Sequence, residues 1–529
     1  MKDLKFFYKG DFLVVPCIEV PPPAGVKASI SSDFPENFGV FLFPEFCDPL
    51  ADRLHPHGII FKCKRNGVSS VRKNQDIKPD TMIKDLTRGN VTAQLFAFAA
   101  PLFAANALQA VYNLVDMVIV GRVNGGAGMS AVSIGGDVLH LLTFLAMGFS
   151  SAGQVIIARM IGAGNPDAVR KLIGTMFSFL LGASAVISVI CYLMRGTILD
   201  LLNTPAESYE FTMDYMVPCI AGLIFIYGYN IVSAILRGMG DSRRPFLFIG
   251  VAAVLNTVLD LVFVAVFHMG PFGAALATVI GQGVSFLTSL VYLYIRRESF
   301  GFDFRPESFR IDRYSLTNLL KLGIPMAIQS AAVSISKIVL TSWINAEGVI
   351  YSALAGIYNK TGLIMAVVSN SFTTAGSTMV GQNMGAGKRR RVIKTVAAVG
   401  SSTFIFSTAV SALILLFPGP FCSFFTEDAG VLAESSLIIL PVILNNYGAA
   451  TRSPAFAFIN GSGNSRMNLL VAVLDGMIAR VGLASLLGFA LGLRSQGFWL
   501  GDALAGYMPL LIGSVFFLKF LRVSGDGSF

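Results

Sequence analysis

Charged residues are scarce in this chain. Of its 529 residues only 13% are charged, whereas 54% are hydrophobic. Soluble domains usually carry about 25% charged residues, so this composition excludes an ordinary soluble domain. The mean hydropathy of +0.67 and the length are instead those of a membrane protein with roughly a dozen helices of about 20 residues each.

Motifs of soluble enzymes are also missing. The chain has no Walker motif, no HExxH and no nucleophile-elbow serine in a suitable context, so neither ATP hydrolysis nor these enzyme chemistries are expected. The glycine-rich pieces at 238–241 and 461–464 follow no strand, and we interpret them as turns. The six cysteines lack the close pairs of a disulfide framework and the spacing of a zinc site. We therefore expect a protein that is not an enzyme and has no cofactor other than a coupling ion.

Residues 1–81 differ in composition from the rest of the chain. They contain the run Pro21–Pro23, scattered aromatic residues and a basic stretch from Lys62 to Lys78, but no apolar stretch of the signal-peptide kind. We expect them to form a disordered tail. Alternatively, they precede the true start of the protein, if Met82 in the sequence MIKDLTRGN is the initiator.

From residue 91 onward, apolar segments alternate with short polar ones. This pattern predicts an all-α membrane protein with twelve transmembrane helices. The predicted spans 1 to 12 cover residues 93–118, 128–156, 172–194, 209–235, 245–267, 273–295, 317–343, 350–380, 395–417, 431–459, 468–491 and 498–518.

The basic residues of the connections predict the orientation of the bundle. Alternate connections, starting before span 1, hold twenty-two lysines and arginines, whereas the other connections hold only Arg122, Arg195 and Arg494. Membrane proteins concentrate Lys and Arg in short cytoplasmic loops. We therefore expect a multi-pass protein of the cell (inner or plasma) membrane with both termini in the cytoplasm.

The chain repeats itself at an offset of 223–224 residues. Pro101 matches Pro325 at 224, and the run Gly162–Gly164 matches Gly385–Gly387 at 223. Because the repeat holds six spans, both copies enter the membrane in the same sense, which predicts two six-helix lobes related by a pseudo-twofold axis along the membrane normal. The predicted domains are an N-terminal tail (1–81), an N-lobe (82–296), a cytoplasmic linker (297–316), a C-lobe (317–521) and a C-terminal tail (522–529).

A polar stripe runs along span 1 and ends at a carboxylate. Its members recur at steps of three or four residues, which places them on one face of a helix: Asn106, Gln109, Asn113 and Asp116. A carboxylate inside a membrane span is costly and usually marks an ion or substrate path. The alternative is that Asp116 only ends the helix among the lipid headgroups. In the same span we predict a hinge at Pro101, since proline removes a helical hydrogen bond.

Other polar residues at similar depth predict a small-cation site beside Asp116. Asn256 and Asp260 share one face of span 5, and Asp260 lies about 22 Å along that helix at 1.5 Å per residue. Such oxygen-bearing groups can hold a proton or Na⁺, and two close carboxylates favour one of them retaining a proton near neutral pH. The alternative is polar contact between helices. The predicted coupling site comprises Tyr112, Asp116, Asn230, Asn256, Asp260 and Thr278, of which Asp116, Asn256, Asp260 and Thr278 would hold Na⁺.

Charges within the spans differ between the two copies. The N-lobe holds Asp116, Asp137 and Asp260, and the C-lobe holds Asp475, so we expect the carboxylate chemistry to belong to the N-lobe. The basic residues within spans are all in the C-lobe: Lys337, Lys360, Arg452 and Arg480. Asp137 and Lys360 occupy equivalent places in spans 2 and 8, which suggests an ion pair between the lobes in one conformation. The alternative is that each charge lines the cavity separately.

Several motifs together resemble those of the multidrug and toxic compound extrusion (MATE) family, over roughly residues 82–521. They are DLTRGN (85–90), Pro101, YNLVD (112–116) with VGR (120–122), GAGN (162–165), LRGMGD (236–241) and NTVLD (256–260). The resemblance implies a two-lobe secondary antiporter that exports organic cations or other amphipathic compounds in exchange for H⁺ or Na⁺. The six residues of the predicted coupling site are similar to those of the branch named for the DNA-damage-inducible protein DinF, although Ser233 stands where some relatives have asparagine.

The expected partners follow from this resemblance. They are small amphipathic or cationic drugs and membrane lipid, with no nucleic acid, and we expect a monomer. The alternative function is a flippase for lipid-linked precursors, which would favour a basic cavity for phosphate. The basic residues within the C-lobe spans keep that alternative open.

Overall fold

The computed structural model describes residues 83–202 and 204–522, and this part of the chain is helical throughout, with no strand. The predicted tail 1–81 lies outside the described residues, as do 523–529 of the predicted C-terminal tail. The prediction of an all-α, twelve-span architecture is confirmed.

The number of spans follows from helix length and hydropathy. Nine helices of the described chain are long and apolar enough to cross a bilayer, and the pair Ala206–Ala221 and Leu223–Gly238, bent by 48°, forms a tenth span. One helix, Val91–Gly162, has 72 residues, about 108 Å at 1.5 Å per residue, so it holds two spans. These are divided at Gly125, whose φ of 64° is not helical. The one span still missing from this count is Ser436–Ser462, which is span 10 in chain order. It includes buried asparagine and an arginine.

The spans keep the numbers that the sequence predicts. In the N-lobe, spans 1 and 2 form Val91–Gly162, span 3 is Pro166–Leu193, span 4 is Ala206–Ala221 with Leu223–Gly238, span 5 is Arg243–Asp260 with the π-helix Leu261–Val266, and span 6 is Gly270–Ile295. In the C-lobe, span 7 is Arg313–Asn345, span 8 is Val349–Gly385, span 9 is Arg389–Leu416 and span 10 is Ser436–Ser462. Span 11 joins Ser465–Val473, Leu474–Ala479 (π), Arg480–Ser485 and Leu486–Ala490 (π), and span 12 joins Arg494–Ala505 and Met508–Arg522. Short helices connect them at Arg195–Leu201, Arg297–Phe300, Pro306–Phe309, Pro418–Ser423 and Ala429–Ala433.

Asparagine side chains begin several of these helices. Asn90 accepts a hydrogen bond from the Ala93 N–H at 3.0 Å, at the start of span 1. Asn165 caps span 3 in the same way, and Asn464 caps span 11. Such caps satisfy amide donors that the first helical turn leaves unpaired. Two family-like motifs, DLTRGN and GAGN, thus end on residues that start helices.

Spans 1 and 7 each pack against both lobes. The first half of span 1, including Leu95 and Phe98, packs with Phe372 and Met379 of span 8 in the C-lobe. The second half, at Val120, packs instead with spans 4, 5 and 6 of the N-lobe. Span 1 therefore changes its packing partner from the C-lobe to the N-lobe midway along its length. Span 7 makes the opposite change.

The reverse pattern in span 7 surrounds the second proline of the repeat. Its first half, at Leu319 and Leu322, joins the N-lobe core around Phe149, and its second half, at Leu340 and Ile344, joins the C-lobe core. Both helices run without interruption through their prolines, Pro101 and Pro325, near the crossing. The predicted hinge at Pro101 stays a prediction.

The lobes meet closely at the end of the bundle that carries the basic connections, called here the basic end. A Cβ atom built on Gly162 would lie 2.0 Å from the carbonyl oxygen of Gln382, and one built on Gly385 would lie 2.0 Å from that of Arg159. Because these glycines are repeat equivalents, the contact is reciprocal. Only glycine lets the two backbones approach so closely.

The segment before span 1 reinforces this contact. The Leu86 N–H donates to Oε1 of Gln382 at 2.9 Å, and Lys388 Nζ donates to the Thr87 carbonyl at 3.0 Å. Arg391 donates to the Gly89 carbonyl at 2.7 Å. Deeper in the bundle, Gln154 of span 2 bonds Thr378 of span 8 at 2.6 Å.

Candidate functional site

Asp116 and Asp260 come together inside the N-lobe. They are 4% and 0% exposed, and their carboxyl groups are close enough to influence each other's charge. In the described part of the chain neither forms an ion pair with a basic residue. Both oxygens of Asp260 lack a hydrogen-bond partner there. Two buried carboxyls so placed repel each other when both are charged, and a shared proton or a small cation removes that repulsion.

Asn256 and Thr278 complete the polar wall beside Asp116. Both are buried. With its amide oriented so that each polar atom has a partner, Asn256 donates to Asp116 Oδ1 at 3.0 Å and accepts from the Thr278 N–H at 3.3 Å. The Thr278 hydroxyl also faces Asp116. Spans 1, 5 and 6 therefore converge on one carboxylate pair, as the sequence predicts.

Two buried tyrosines lie near the carboxylate pair. Tyr112, one turn before Asp116, is buried next to the side chains of Gln109 and Gln282. Tyr215 of span 4 is buried close to both aspartates, and sequence reasoning missed it. A signal was present, because Ser208, Thr212 and Tyr215 recur at steps of four and three on one buried face of span 4.

Space for Tyr215 comes from a glycine of span 2. A Cβ atom on Gly135 would lie 2.5 Å from the Tyr215 ring. The phenol can thus reach the carboxylates only because that position has no side chain.

Asn230 is not brought into the carboxylate pair. Its amide donates to the Ile226 carbonyl of its own helix at 2.8 Å, and within the described chain no hydrogen bond joins it to either aspartate. The Ser233 side chain, one turn further on, is buried next to Tyr229. Membership of Asn230 in the coupling site stays a prediction.

Span 5 changes its winding directly after Asp260. The α-helix ends at Asp260 and a π-helix follows over Leu261–Val266. Short π segments within helices are rare and occur often at functional sites. The wider turn begins directly after Asp260, whose carboxylate has no basic partner among the described residues.

The predicted pair between Asp137 and Lys360 is not formed in this conformation. Both residues are exposed, and no ion pair joins them in the described chain. A pairing in another conformation stays a prediction.

A second charged cluster lies inside the C-lobe, around Asp475, which the sequence places within a span. The expectation that the coupling carboxylates belong to the N-lobe stays a prediction. Arg480 of span 11 is 1% exposed and bridges two carboxylates, Asp475 and Asp502. Asp502 also accepts a hydrogen bond from the Tyr358 hydroxyl at 2.7 Å. Arg452 lies 3.9 Å from the other oxygen of Asp475. Buried carboxylates therefore occur in both lobes.

The sequence did not indicate that Asp502 is a buried carboxylate, because of its position in span 12. It lies close to the start of the predicted span 12, which begins at residue 498, and a charge near the end of a span is ordinary. Its burial comes from the neighbouring span. There, a π-helix over Leu474–Ala479 holds Asp475 and ends just before Arg480, which turns toward span 12.

Comparisons with known proteins agree with this architecture. The MatE family model matches the chain twice, over residues 101–262 and 325–486, the two halves of the repeat. Two Bacillus subtilis (strain 168) proteins are similar: the probable multidrug resistance protein YpnP, 31% identical over 58% of this chain and 68% of its own, and the probable multidrug resistance protein YoeA, 28% identical over 80% and 93%.

A solved structure shares the fold. The crystal structure of MATE in the bent conformation superposes with a TM-score of 0.76 at 24% identity, covering 83% of this chain and 98% of that one. At this identity the likeness concerns the fold alone. The family match, in contrast, spans more than half of the sequence and both copies of its repeat, and it shows that this chain belongs to the MatE family of multidrug and toxic compound extrusion transporters.

Proposed function

We propose that this transporter exports amphipathic drugs, organic cations among them, in exchange for protons bound at the Asp116–Asp260 pair. The observation that carries this proposal is the close approach of two buried carboxyls that have no basic partner in the described chain. A site of this kind stays neutral enough for a membrane interior only when it holds a proton or another small cation. The names of the similar Bacillus proteins, both probable multidrug resistance proteins, support drugs as the cargo.

Exchange follows from competition for the same negative charge. A cationic drug in the cleft is held by the ionised pair, and a proton that arrives at the pair removes this attraction. The proton and the drug therefore favour different states of the N-lobe. Binding of either one lowers the protein's affinity for the other by the same factor. The π-helix after Asp260 is the element of span 5 that we expect to rearrange.

The described conformation is the one we assign to drug release. Among the described residues, the hydrogen bonds between the lobes lie between the basic end and mid-depth, where Asn106 donates to Ser371 at 3.2 Å. Because the basic connections predict the cytoplasmic side, the transporter is closed toward the cytoplasm in this state. We propose a cell-membrane location with both termini in the cytoplasm.

The glycine contact at the basic end gives the first prediction. Replacing Gly162 by valine places a side chain against the Gln382 backbone, so we expect the closed cytoplasmic end to loosen and the population to shift toward the inward-open state. The measurement is labelling of a cysteine introduced at Ala158, a fully buried position, by a membrane-impermeant maleimide in an otherwise cysteine-free protein. We expect faster labelling in Gly162→Val.

The matched control is Gly182→Val in span 3. That glycine is exposed and has open space around its Cβ position, so the labelling rate at residue 158 should not change. Equal labelling in Gly162→Val and Gly182→Val would refute the role of the glycine contact in closure.

The proposed function is tested by separating the two gradients. In proteoliposomes, we expect rhodamine 6G to be expelled under an imposed proton gradient at equal sodium. A sodium gradient at equal pH should have little effect, since a shared proton fits two neighbouring carboxyls better than a hard cation that needs several oxygen ligands around it. Export under the sodium gradient alone would replace H⁺ by Na⁺ as the coupling ion, and export under neither would refute antiport.

A further inference from the structure

The buried cluster of the C-lobe occupies the repeat equivalents of positions that adjoin the coupling-site residues of the N-lobe in sequence. The equivalent positions at the repeat offset are Asn113 and Lys337, Tyr229 and Arg452, Thr257 and Arg480, and Val279 and Asp502. In the first copy these positions are neutral and stand beside two carboxylates without a basic partner in the described chain. In the second copy the same region is rich in cations, so the two lobes present opposite charges.

The cation-rich cluster does not neutralise itself. Arg480 is balanced by its bridge to Asp475 and Asp502, and Arg452 shares Asp475 at 3.9 Å. Lys337 is within electrostatic range of all four groups, yet it forms no ion pair or hydrogen bond in the described chain. When all five groups are ionised, three cations and two carboxylates leave one positive charge inside the lobe.

This positive charge faces a cavity. A space of about 610 Å³ opens between spans 7 and 8, with Lys337 in its wall. Thr341 and Asn345 follow Lys337 at steps of four along span 7, and Asn359 lies opposite on span 8. Ser342 and apolar residues such as Leu363 form the rest of the wall. A volume of this size is typical of sites for small molecules, in which a few polar groups set the orientation in an apolar setting.

We propose that this cavity binds the acidic group of amphipathic cargo, with Lys337 as its counter-charge. The acidic group is a carboxylate, sulfonate or phosphate, oriented by the hydroxyl and amide groups of Thr341, Asn345 and Asn359. Behind it, Arg452 and Arg480 offset the charges of Asp475 and Asp502, so the charge of Lys337 is left for the cargo. This inference rests on the proposed export function and extends its cargo from cations to anionic and zwitterionic compounds.

Binding of two dyes of similar size tests the proposal. Purified protein in neutral detergent is titrated into fluorescein, an anion, or rhodamine 6G, a cation, and fluorescence polarisation is measured. For Lys337→Gln we expect fluorescein affinity to fall about tenfold, the usual effect of losing one charge-assisted contact, while rhodamine 6G binds at least as tightly as before. Lys337→Arg should retain fluorescein binding, because it retains the charge.

Controls show whether weaker fluorescein binding comes from the loss of Lys337 rather than from misfolding. They also keep this test independent of the export proposal. Lys394→Gln removes an exposed charge near the basic end of span 9 and should bind both dyes like the wild type. The titration uses no ion gradient, so it is independent of which ion drives export. Unchanged fluorescein affinity in Lys337→Gln, or no fluorescein binding by the wild type, would overturn the proposal.

Competition distinguishes two sources of the acidic group. Displacement of fluorescein by a short-chain phosphatidylglycerol supports a site open to lipid headgroups. Retention of fluorescein in its presence supports a site for dissolved amphipathic anions.

Discussion

Replacing Asp260 by asparagine is expected to abolish proton-driven export. The amide has the shape of a protonated carboxyl but cannot gain or lose a proton, so the N-lobe is held in its proton-bound form. Folding should survive, because removing a buried charge without a partner relieves a cost of burial rather than adding one. In proteoliposomes, rhodamine 6G export under a proton gradient should fall to the level of protein-free vesicles. Asp116→Asn should behave in the same way.

The control for this experiment is Asp214→Asn. Asp214 is an exposed aspartate of span 4 in the same lobe, so its replacement should leave export unchanged. Thermal unfolding in detergent checks that Asp260→Asn is at least as stable as the wild type. Normal gradient-driven export by Asp260→Asn would exclude the pair as the coupling site.

The second large effect concerns stability and belongs to the C-lobe. Arg480→Gln leaves Asp502 without its ion-pair partner in the lobe interior, whereas Asp475 keeps Arg452. Removing one partner of a buried ion pair costs about 3–5 kcal/mol, so we expect a sharply lower midpoint of thermal unfolding and a lower yield of folded protein. The double variant Arg480→Gln with Asp502→Asn should recover much of the loss, because it removes the stranded charge as well.

Arg390→Gln serves as the comparison, because Arg390 is an exposed arginine at the start of span 9. Its unfolding midpoint should match that of the wild type. If Arg480→Gln were as stable as Arg390→Gln, the bridge would have no structural role.

The N-lobe site could be predicted because helix periodicity is visible in sequence. Asp116 stands at the end of a polar stripe and Asp260 shares a helix face with Asn256, so a common depth in the membrane was enough to bring them together. Tyr215 shares a polar face of span 4 with Ser208 and Thr212, but that spacing does not show how close the phenol comes to the carboxylates. Its approach depends on the missing side chain of Gly135, which is a property of packing between spans 2 and 4.

The C-lobe cluster shows a different limit of sequence reasoning. Hydropathy identifies Arg452 and Arg480 as charges within spans, but it does not show which carboxylate neutralises each of them. The bridge to Asp502 depends on the π-helix that precedes Arg480, and no local motif predicts that change of winding. The crossing of spans 1 and 7 between lobes is likewise a feature of tertiary packing, although the repeated prolines mark its place.

The most direct measurement of the central claim is proton release on drug binding. Rhodamine 6G is added to purified protein in weakly buffered, sodium-free solution, and the change of pH is recorded for the wild type and for Asp260→Asn. If the carboxylate pair exchanges its proton for cargo, the wild type releases protons in proportion to the bound dye and Asp260→Asn releases none. Dye binding by the wild type without proton release, or equal release by both proteins, would contradict it.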